Sequence, residues 1–165
     1  MKNKLFLILL SLMIISASNE PIKIESNTLR YLGEKKYSLF EGNVKAEYEN
    51  NQIFSEKMYV YMNDDNKIDR IICEGNVKLL NDNITATARR AEYDVNNNIF
   101  YLLDGVKVWQ DDNYLEGEQI TVYTKANRIE VTKGKNKRVI VIFKPEEDEN
   151  GENNVPWSNG AKKNI

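Results

Sequence analysis

The side chains that most often do chemistry in proteins are scarce in this chain. It has no histidine and only one cysteine, Cys73, among 165 residues. Histidine is the commonest general base and a usual zinc ligand, so its absence removes most triad hydrolysis and most zinc chemistry. No phosphate loop, dinucleotide fingerprint or Gly-x-Ser-x-Gly motif is present. The sequence therefore predicts a protein that is not an enzyme and that has no cofactor and no metal site.

Two acidic segments are the remaining candidates for chemistry. Residues 64–69 (Asp-Asp-Asn-Lys-Ile-Asp) superficially resemble a calcium loop but lack its glycine and its distal glutamate. Asp111 and Asp112 are sequence neighbours, and such neighbours do not face each other across a cleft as a glycosidase pair does. We interpret both segments as solvated turns, because Asp and Asn suit the backbone of turns.

The cysteine and the basic residues also favour structural roles. Cys73 lies in the apolar run 71–73, so we expect it to pack as a small hydrophobic residue, and a lone cysteine forms no intramolecular disulfide. A basic cluster, Lys133, Lys135, Lys137 and Arg138, could contact lipid phosphates, but a solvated turn is the favoured interpretation. The net charge of −2 argues against a nucleic-acid partner.

The first 18 residues have the pattern of a cleaved signal peptide. Lys2 and Lys4 precede an apolar run over residues 5–15, and residues 16–18 (Ser-Ala-Ser) are small. Eleven helical residues reach roughly 16 Å, about half of a hydrocarbon core of ~30 Å. Export to the periplasm is the prediction, and an uncleaved membrane anchor is the alternative.

From residue 20 to residue 145 the sequence has the signature of an all-β domain. Apolar and polar residues alternate with period two, and clusters rich in Asn and Asp separate the alternating segments. Consecutive antiparallel strands with one apolar face each are predicted. Residues 87–95 have mixed propensity, and the repeat described next favours a strand there.

A repeat of about 30 residues runs through this domain. The phrase Glu-Gly-Asn-Val-Lys occurs at 41–45 and 74–78, and a shorter Asp-Gly-Val-Lys occurs at 104–107. Such a period indicates one supersecondary unit stacked on copies of itself. The glycine in each phrase marks either a bulge that curves the sheet or the start of a strand. The third phrase is one residue short, which leaves the strand register near Gly105 open.

The end of the chain differs from the repeats. Residues 139–143 (Val-Ile-Val-Ile-Phe) are apolar on both faces, which is typical of internal burial or of an edge that meets a partner. Residues 146–165 are acidic and rich in Asn and Gly, and we predict a disordered tail.

Four segments, in order, carry a family resemblance over residues 20–145. They are residues 20–27 (Glu-Pro-Ile-Lys-Ile-Glu-Ser-Asn), 40–44 (Phe-Glu-Gly-Asn-Val), 113–123 (Asn-Tyr-Leu-Glu-Gly-Glu-Gln-Ile-Thr-Val-Tyr) and 133–139 (Lys-Gly-Lys-Asn-Lys-Arg-Val). The chain resembles the LptA/OstA family, the periplasmic bridge proteins of lipopolysaccharide transport. Asn27 stands where the family usually has aspartate.

The resemblance implies a V-shaped antiparallel β-jellyroll with an open apolar groove for the acyl chains of lipopolysaccharide or lipooligosaccharide. It also implies head-to-tail self-assembly and jellyroll partners that are LptC-like at the inner membrane and LptD-like at the outer membrane. The candidate groove residues are Ile22, Ile24, Phe40, Val44, Ala46, Phe54, Met58, Val60, Val77, Leu79, Phe100, Leu102, Val106, Val108, Ile120 and Val122. The candidate assembly edges are Ile22 and Ile24 at one end and Val139, Val141 and Phe143 at the other.

Two other functions stay open on the sequence alone. A membrane-tethered, LptC-like member of the same pathway would retain residues 1–18. A structural β-repeat module would have a filled core, and periodicity cannot distinguish a filled interior from an open one.

Overall fold

A folded antiparallel sheet makes up almost all of the structure, a computed structural model that describes residues 21–144 and the backbone of 146–147 and 153–154. The strands pair in the order β1-β3-β4-β5-β6-β7-β8-β10, with hairpins from β3 to β8, while β2 also pairs with β3 and β9 with β8. The strands are β1 (Lys23–Glu25), β2 (Thr28–Leu32), β3 (Tyr37–Tyr48), β4 (Asn51–Met62), β5 (Ile68–Asn81), β6 (Ile84–Asp94), β7 (Ile99–Gln110), β8 (Asn113–Tyr123), β9 (Arg128–Thr132), β10 (Ile140–Ile142), β11 (Glu146–Glu147) and β12 (Asn153–Asn154). One 3-10 turn, Gly33–Lys35, joins β2 to β3.

The all-β prediction is confirmed, including the segment of mixed propensity, which lies in β6 and continues into the following turn. The repeat corresponds to one hairpin of two strands, because the repeated phrases fall in β3, β5 and β7. No helix long and apolar enough to cross a bilayer occurs among residues 21–144. The predicted signal peptide lies outside the described residues, as does most of the predicted tail, apart from the short pair β11–β12.

A line of β-bulges crosses the sheet at the repeated phrases. At this line the register shifts in each pairing from β3 through β8, between Glu41 and Val44 in β3 and between Glu74 and Val77 in β5, for example. A bulge inserts an extra residue into one strand, bends that strand and increases its twist. Because the bulges occupy neighbouring positions on successive strands, they bend the whole sheet along one line.

The glycines of the repeat have the backbone conformation that these bulges need. Gly42, Gly75 and Gly105 have φ of 83°, 80° and 78°. This left-handed region is open to glycine and unfavourable for side chains with a Cβ. In the short third phrase Asp104 also has a positive φ, 67°, so the bulge forms from Asp104 and Gly105. The register then resumes at Val106, opposite Gly117, which resolves the ambiguity in the sequence.

The bulge line divides each long strand into two segments, and the segments form two halves that we name wings. Wing A contains β2, β9 and residues 37–41, 57–62, 68–74, 90–94, 99–103 and 119–123. Wing B contains β1, β10 and residues 44–48, 51–55, 77–81, 84–88, 106–110 and 113–117. One apolar cluster includes residues of both wings, so the wings pack against each other across the interior.

The bulge in β4 overturns one sequence prediction. Alternation carried through Glu56 placed Phe54 on the same face as Met58 and Val60. The register shift at Glu56 reverses the faces of β4, so the inward residue beside Ala46 is Ile53. Phe54 pairs with Lys45 instead, whose Nζ lies 5.8 Å from the centre of the Phe54 ring on the outer face.

The glycines of the bulge line provide a test of this architecture. Gly105→Ala should lower the free energy of unfolding by about 1–2 kcal/mol, the cost of a left-handed residue with a Cβ. Gly75→Ala should cost more, because its Cβ would lie 2.8 Å from Cβ of Glu56, whereas the site of Gly105 is open. Urea unfolding followed by circular dichroism measures both changes.

Gly33→Ala is the matched control, because Gly33 lies outside the positive-φ set and an added Cβ would meet only the Tyr31 ring at 3.4 Å. Its stability should stay within about 0.5 kcal/mol of the parent, as for ordinary surface substitutions. Equal stabilities for all three variants would contradict the role assigned to the bulges.

Candidate functional site

An apolar cavity lies between the wings, at the end of the sheet where β1 lies. Its volume is about 300 Å³. Ile24, Ala46 and Ile53 line it from wing B, and Met58 and Val60 face them from wing A. The other lining residues are Ile22, Glu47, Tyr48, Asn51, Ile68, Ile71, Cys73, Ala91, Glu92, Tyr93 and Phe100. Cavities of this size and character suit apolar ligands.

The middle of the interior is closed by side chains. Val44 and Val77 are 1% exposed, and Val106 and Ile120 are fully buried. The other candidate groove residues that are buried are Ala46, Met58, Val60, Leu79, Phe100, Leu102, Val108 and Val122. The space between the wings is therefore not one uninterrupted channel along the whole molecule. In the middle of the molecule, apolar side chains from successive strands fill the space between the wings.

A second, smaller hollow opens at the opposite end of wing B. It has a volume of about 170 Å³ and lies beside the edge strand β10. Its lining residues are Val108, Gln110, Asn113, Tyr114, Leu115, Val141, Ile142 and Phe143. The interior thus has one apolar compartment at each end of the sheet, with packed side chains between them.

Several cavity residues were missed by the sequence analysis. Ile53 was hidden by the reversal of faces at the β4 bulge. Ala91 and Tyr93 follow the register shift at Arg89, so the alternation of residues 84–89 does not extend to them. A signal for them existed, since the glycine phrase that marks the extra residue recurs at neighbouring positions in β3, β5 and β7.

The predicted edge residues lie at the two ends of the sheet. Ile22 is 46% exposed and Ile24 is half-buried, next to Ala46 of β3. At the other end Val141 is 45% exposed and Ile142 54% exposed, although both belong to a strand that pairs with β8. Internal burial of residues 139–143 is therefore wrong. β10 is an exposed apolar edge strand, a feature that proteins usually avoid because such edges pair with other chains.

The charged groups lie outside the cavity or at its margin. The basic cluster at 133–138 is an exposed turn that follows β9, with a hydrogen bond from the amide of Lys137 to the carbonyl oxygen of Gly134. Residues 63–67 form a turn in which Oδ1 of Asn63 accepts hydrogen bonds from the amides of Asp65 and Lys67. Within residues 21–144, no three side chains of His, Cys, Asp or Glu come close enough together to hold a metal ion.

Cys73 is the one nucleophilic side chain that lines the cavity. Burial raises the pKa of its thiol to about 12, and a hydrogen bond with the Ser55 side chain opposes this only in part. The thiol therefore stays protonated at neutral pH and is a poor nucleophile. The cavity can enclose hydrocarbon, and its thiol is unsuited to covalent catalysis.

The raised pKa of Cys73 predicts a dependence of stability on pH. In the unfolded chain the thiol ionises near its ordinary pKa of 9.0, and in the folded protein only near a pKa of about 12. Its contribution is therefore complete below pH 9 and is lost as the pH rises towards 12. Cys73→Val should make the free energy of unfolding fall less steeply between pH 9 and 11 than in the parent. An identical pH profile for the two proteins, measured by urea unfolding, would contradict the assignment.

Comparison with known proteins agrees with this architecture. A family model described as "LptA/(LptD N-terminal domain) LPS transport protein" matches residues 23–142. The fold is similar to the crystal structure of LptH from Pseudomonas aeruginosa, described as the LptA homologous periplasmic component of the conserved lipopolysaccharide transport device. The TM-score is 0.65 at 16% identity, over 76% of this chain and 96% of that chain. A search of curated protein sequences gives no match.

The matched region begins in β1 and ends in β10, so it includes both wings, the bulge line, the cavity and the two edges. It also agrees with the resemblance found in residues 20–27, 40–44, 113–123 and 133–139. The chain belongs to the LptA/(LptD N-terminal domain) family of lipopolysaccharide transport proteins.

Proposed function

We propose that this protein is a non-enzymatic carrier that shields the acyl chains of lipopolysaccharide or lipooligosaccharide as they cross the periplasm. The observation that carries the proposal is the apolar cavity between the wings, open at the β1 end of the sheet. Membership of a lipopolysaccharide transport family supports the choice of ligand. A periplasmic location agrees with the signal-like residues 1–18.

The energetics of hydrocarbon explain why such a carrier is needed. Burial of one CH₂ group is worth about 0.8 kcal/mol, so a 12-carbon chain in water costs roughly 10 kcal/mol. A lipid with several such chains does not cross an aqueous compartment unaided. A protein that offers an apolar surface removes this barrier without any chemical reaction, which agrees with the protonated, buried thiol in the cavity.

A bridge of several copies follows from the two ends of the sheet. In wing B, β1 is the edge strand at one end and β10 is the edge strand at the other. Pairing of β10 of one copy with β1 of the next would extend the sheet through main-chain hydrogen bonds. It would also bring the hollow beside β10 against the cavity beside β1, so that the two compartments become one.

The same edges would accept LptC-like and LptD-like jellyroll partners at the two membranes. A membrane-tethered, LptC-like role depends on residues 1–18, which lie outside the described residues. The packed centre favours the structural-module alternative in part, because much of the interior is filled. The carrier proposal is preferred because the end of the interior is open and apolar.

Site-specific photo-crosslinking tests the lipid-carrying function. A benzophenone amino acid at Ile53 or Ile24 should form an adduct with lipopolysaccharide, because both side chains line the cavity. Phe54 is the matched control, since it is the neighbour of Ile53 on the same strand and faces outward. Denaturing electrophoresis with lipopolysaccharide detection measures the adducts. Absence of adducts at both inward positions, or an equal adduct at Phe54, would contradict the proposal.

Truncation tests the assembly. Removal of residues 139–165 deletes β10 and should leave a folded monomer, because the edge that accepts the next copy is gone. Removal of residues 145–165 alone is the control and should leave the oligomers intact, since β10 remains. Light scattering after size exclusion measures the mass, and circular dichroism confirms the β fold. Oligomers that persist in the longer truncation would refute joining through β10.

A further inference from the structure

An exposed apolar patch lies on the outer face of wing B, next to the edge of the sheet. Trp109 is 39% exposed, Ile140 44% and Ile142 54%. Tyr114 pairs with both Trp109 and Ile142, and its ring lies 5.5 Å from that of Trp109. Residues that pair across strands lie on one face of a sheet, and this face is the outer one because the adjacent Val108 is buried in the interior. We name Trp109, Tyr114, Ile140 and Ile142 the outer patch.

A row of cations runs beside the outer patch. Lys78 of β5 and Lys107 of β7 both pair with Thr87 of β6, so they lie on the same outer face, two strand spacings or roughly 10 Å apart. Arg89 and Lys137 line the same hollow, which has a volume of about 640 Å³. Among the described residues, none of these four cations forms an ion pair. Their charge is therefore available to an anionic partner.

The carboxylates of the hollow are too few to neutralise this surface. Asp104, Glu116 and Glu118 line the hollow together with the four cations. Glu116 already accepts a hydrogen bond from the hydroxyl of Tyr114. The exposed turn 133–138, which supplies Lys137, carries three further cations, Lys133, Lys135 and Arg138. This part of the outer face is thus locally positive, although the whole chain has a net charge of −2.

Head-to-tail joining would not cover the outer patch. In the proposed joint, β10 of one copy pairs with β1 of the next. Ile24 of β1 lines the cavity, so alternation places Lys23 and Glu25 on the outer face. These two charged side chains would come to lie beside Ile140 and Ile142, which would remain exposed to solvent. The outer patch therefore needs an occupant other than the next copy in a bridge.

We propose that the outer face of wing B, from β5 to β10, docks on the surface of a bilayer that contains anionic phospholipids. Trp and Tyr have the amphipathic rings that favour the level of the headgroups, and isoleucine side chains favour the boundary with the acyl chains. Lysine and arginine side chains are attracted to the headgroup phosphates.

A bilayer satisfies both parts of this face together, because it presents hydrocarbon and phosphate to one surface. An apolar protein groove would cover the outer patch but would leave the cations without counter-charges. The inference goes beyond the carrier function, since it assigns the protein a position at a membrane surface. It does not depend on lipid in the cavity between the wings.

Vesicle binding tests the docking face. Trp157→Phe leaves Trp109 as the single tryptophan of the chain, so this variant is the reference protein. With equimolar phosphatidylcholine and phosphatidylglycerol, the fluorescence of Trp109 should shift to the blue and should be quenched by lipids with brominated acyl chains. Binding to phosphatidylcholine alone should be at least about 10-fold weaker, because the electrostatic attraction is lost.

Charge removal in the reference protein locates the contact. Lys78→Gln with Lys107→Gln should weaken binding to the anionic vesicles about 10- to 25-fold, since each cation near such a surface contributes about 5-fold. Lys35→Gln with Lys125→Gln is the matched control. It removes the same charge from two exposed turns outside wing B, and neither lysine has an ion pair among the described residues. The control should bind like the reference protein.

Removal of apolar surface tests the outer patch itself. Ile140→Thr with Ile142→Thr keeps β-branched residues, which suit a strand, and should weaken binding about 5- to 10-fold. Circular dichroism confirms that each variant retains the β fold. All variants carry the same N-terminus as the reference protein, so differences among them report the outer face of wing B.

Three results would overturn the proposal. The first is the absence of a blue shift with anionic vesicles, or equal weakening by the two double lysine variants. The second is a blue shift that needs only more protein and no vesicles, which would assign the outer patch to a contact between copies. The third is displacement by inorganic phosphate but not by sodium chloride of equal ionic strength, which would make the hollow a phosphate site. None of these results affects crosslinking of lipopolysaccharide at Ile53, so the carrier function is tested separately.

Discussion

The structure depends on one extra residue in each of β3, β5 and β7 relative to the strands beside them, placed at neighbouring positions across the sheet. Without these bulges, ten antiparallel strands would form a twisted open sheet with an apolar face exposed to water. With them, each strand belongs to two wings, and the two apolar surfaces cover each other. The positive φ of Gly42, Gly75 and Gly105 is the local condition for this bend. The repeated glycine phrase therefore marks the position of the bend in the sequence.

Much of this architecture was predictable from the sequence, and the errors have a common cause. Period-two alternation predicts the strands, and the repeat predicts one hairpin in about 30 residues. Alternation fails where the register shifts between neighbouring strands, and this is why Phe54 was assigned to the interior and Ile53 was missed. The sequence also could not predict whether the interior is open or filled. Inward apolar residues such as those at 106 and 120 show the same alternation whether they pack together or line a groove. Packing depends on the distance between the two wings, and the pattern of a single strand does not determine that distance.

The closed centre changes how lipid transfer through this molecule should be understood. A single copy offers two end compartments, one of about 300 Å³ beside β1 and one of about 170 Å³ beside β10. In the proposed bridge these compartments meet at each joint, so acyl chains would be held there first. Passage past Val44, Val106 and Ile120 would require the wings to separate. An open sheet allows such separation, since its two wings are joined covalently and by hydrogen bonds only along the bulge line.

The most direct test of this account locates bound lipid relative to the two faces of the sheet. Nuclear Overhauser effects between the acyl chains of lipopolysaccharide and ¹³C-labelled isoleucine methyl groups provide that measurement. The account predicts contacts to Ile53 and Ile71, which line the cavity, and none to Ile72, which is buried on the outer face of wing A. Contacts confined to Ile72 and other outer positions, with Ile53 and Ile71 unaffected, would contradict it.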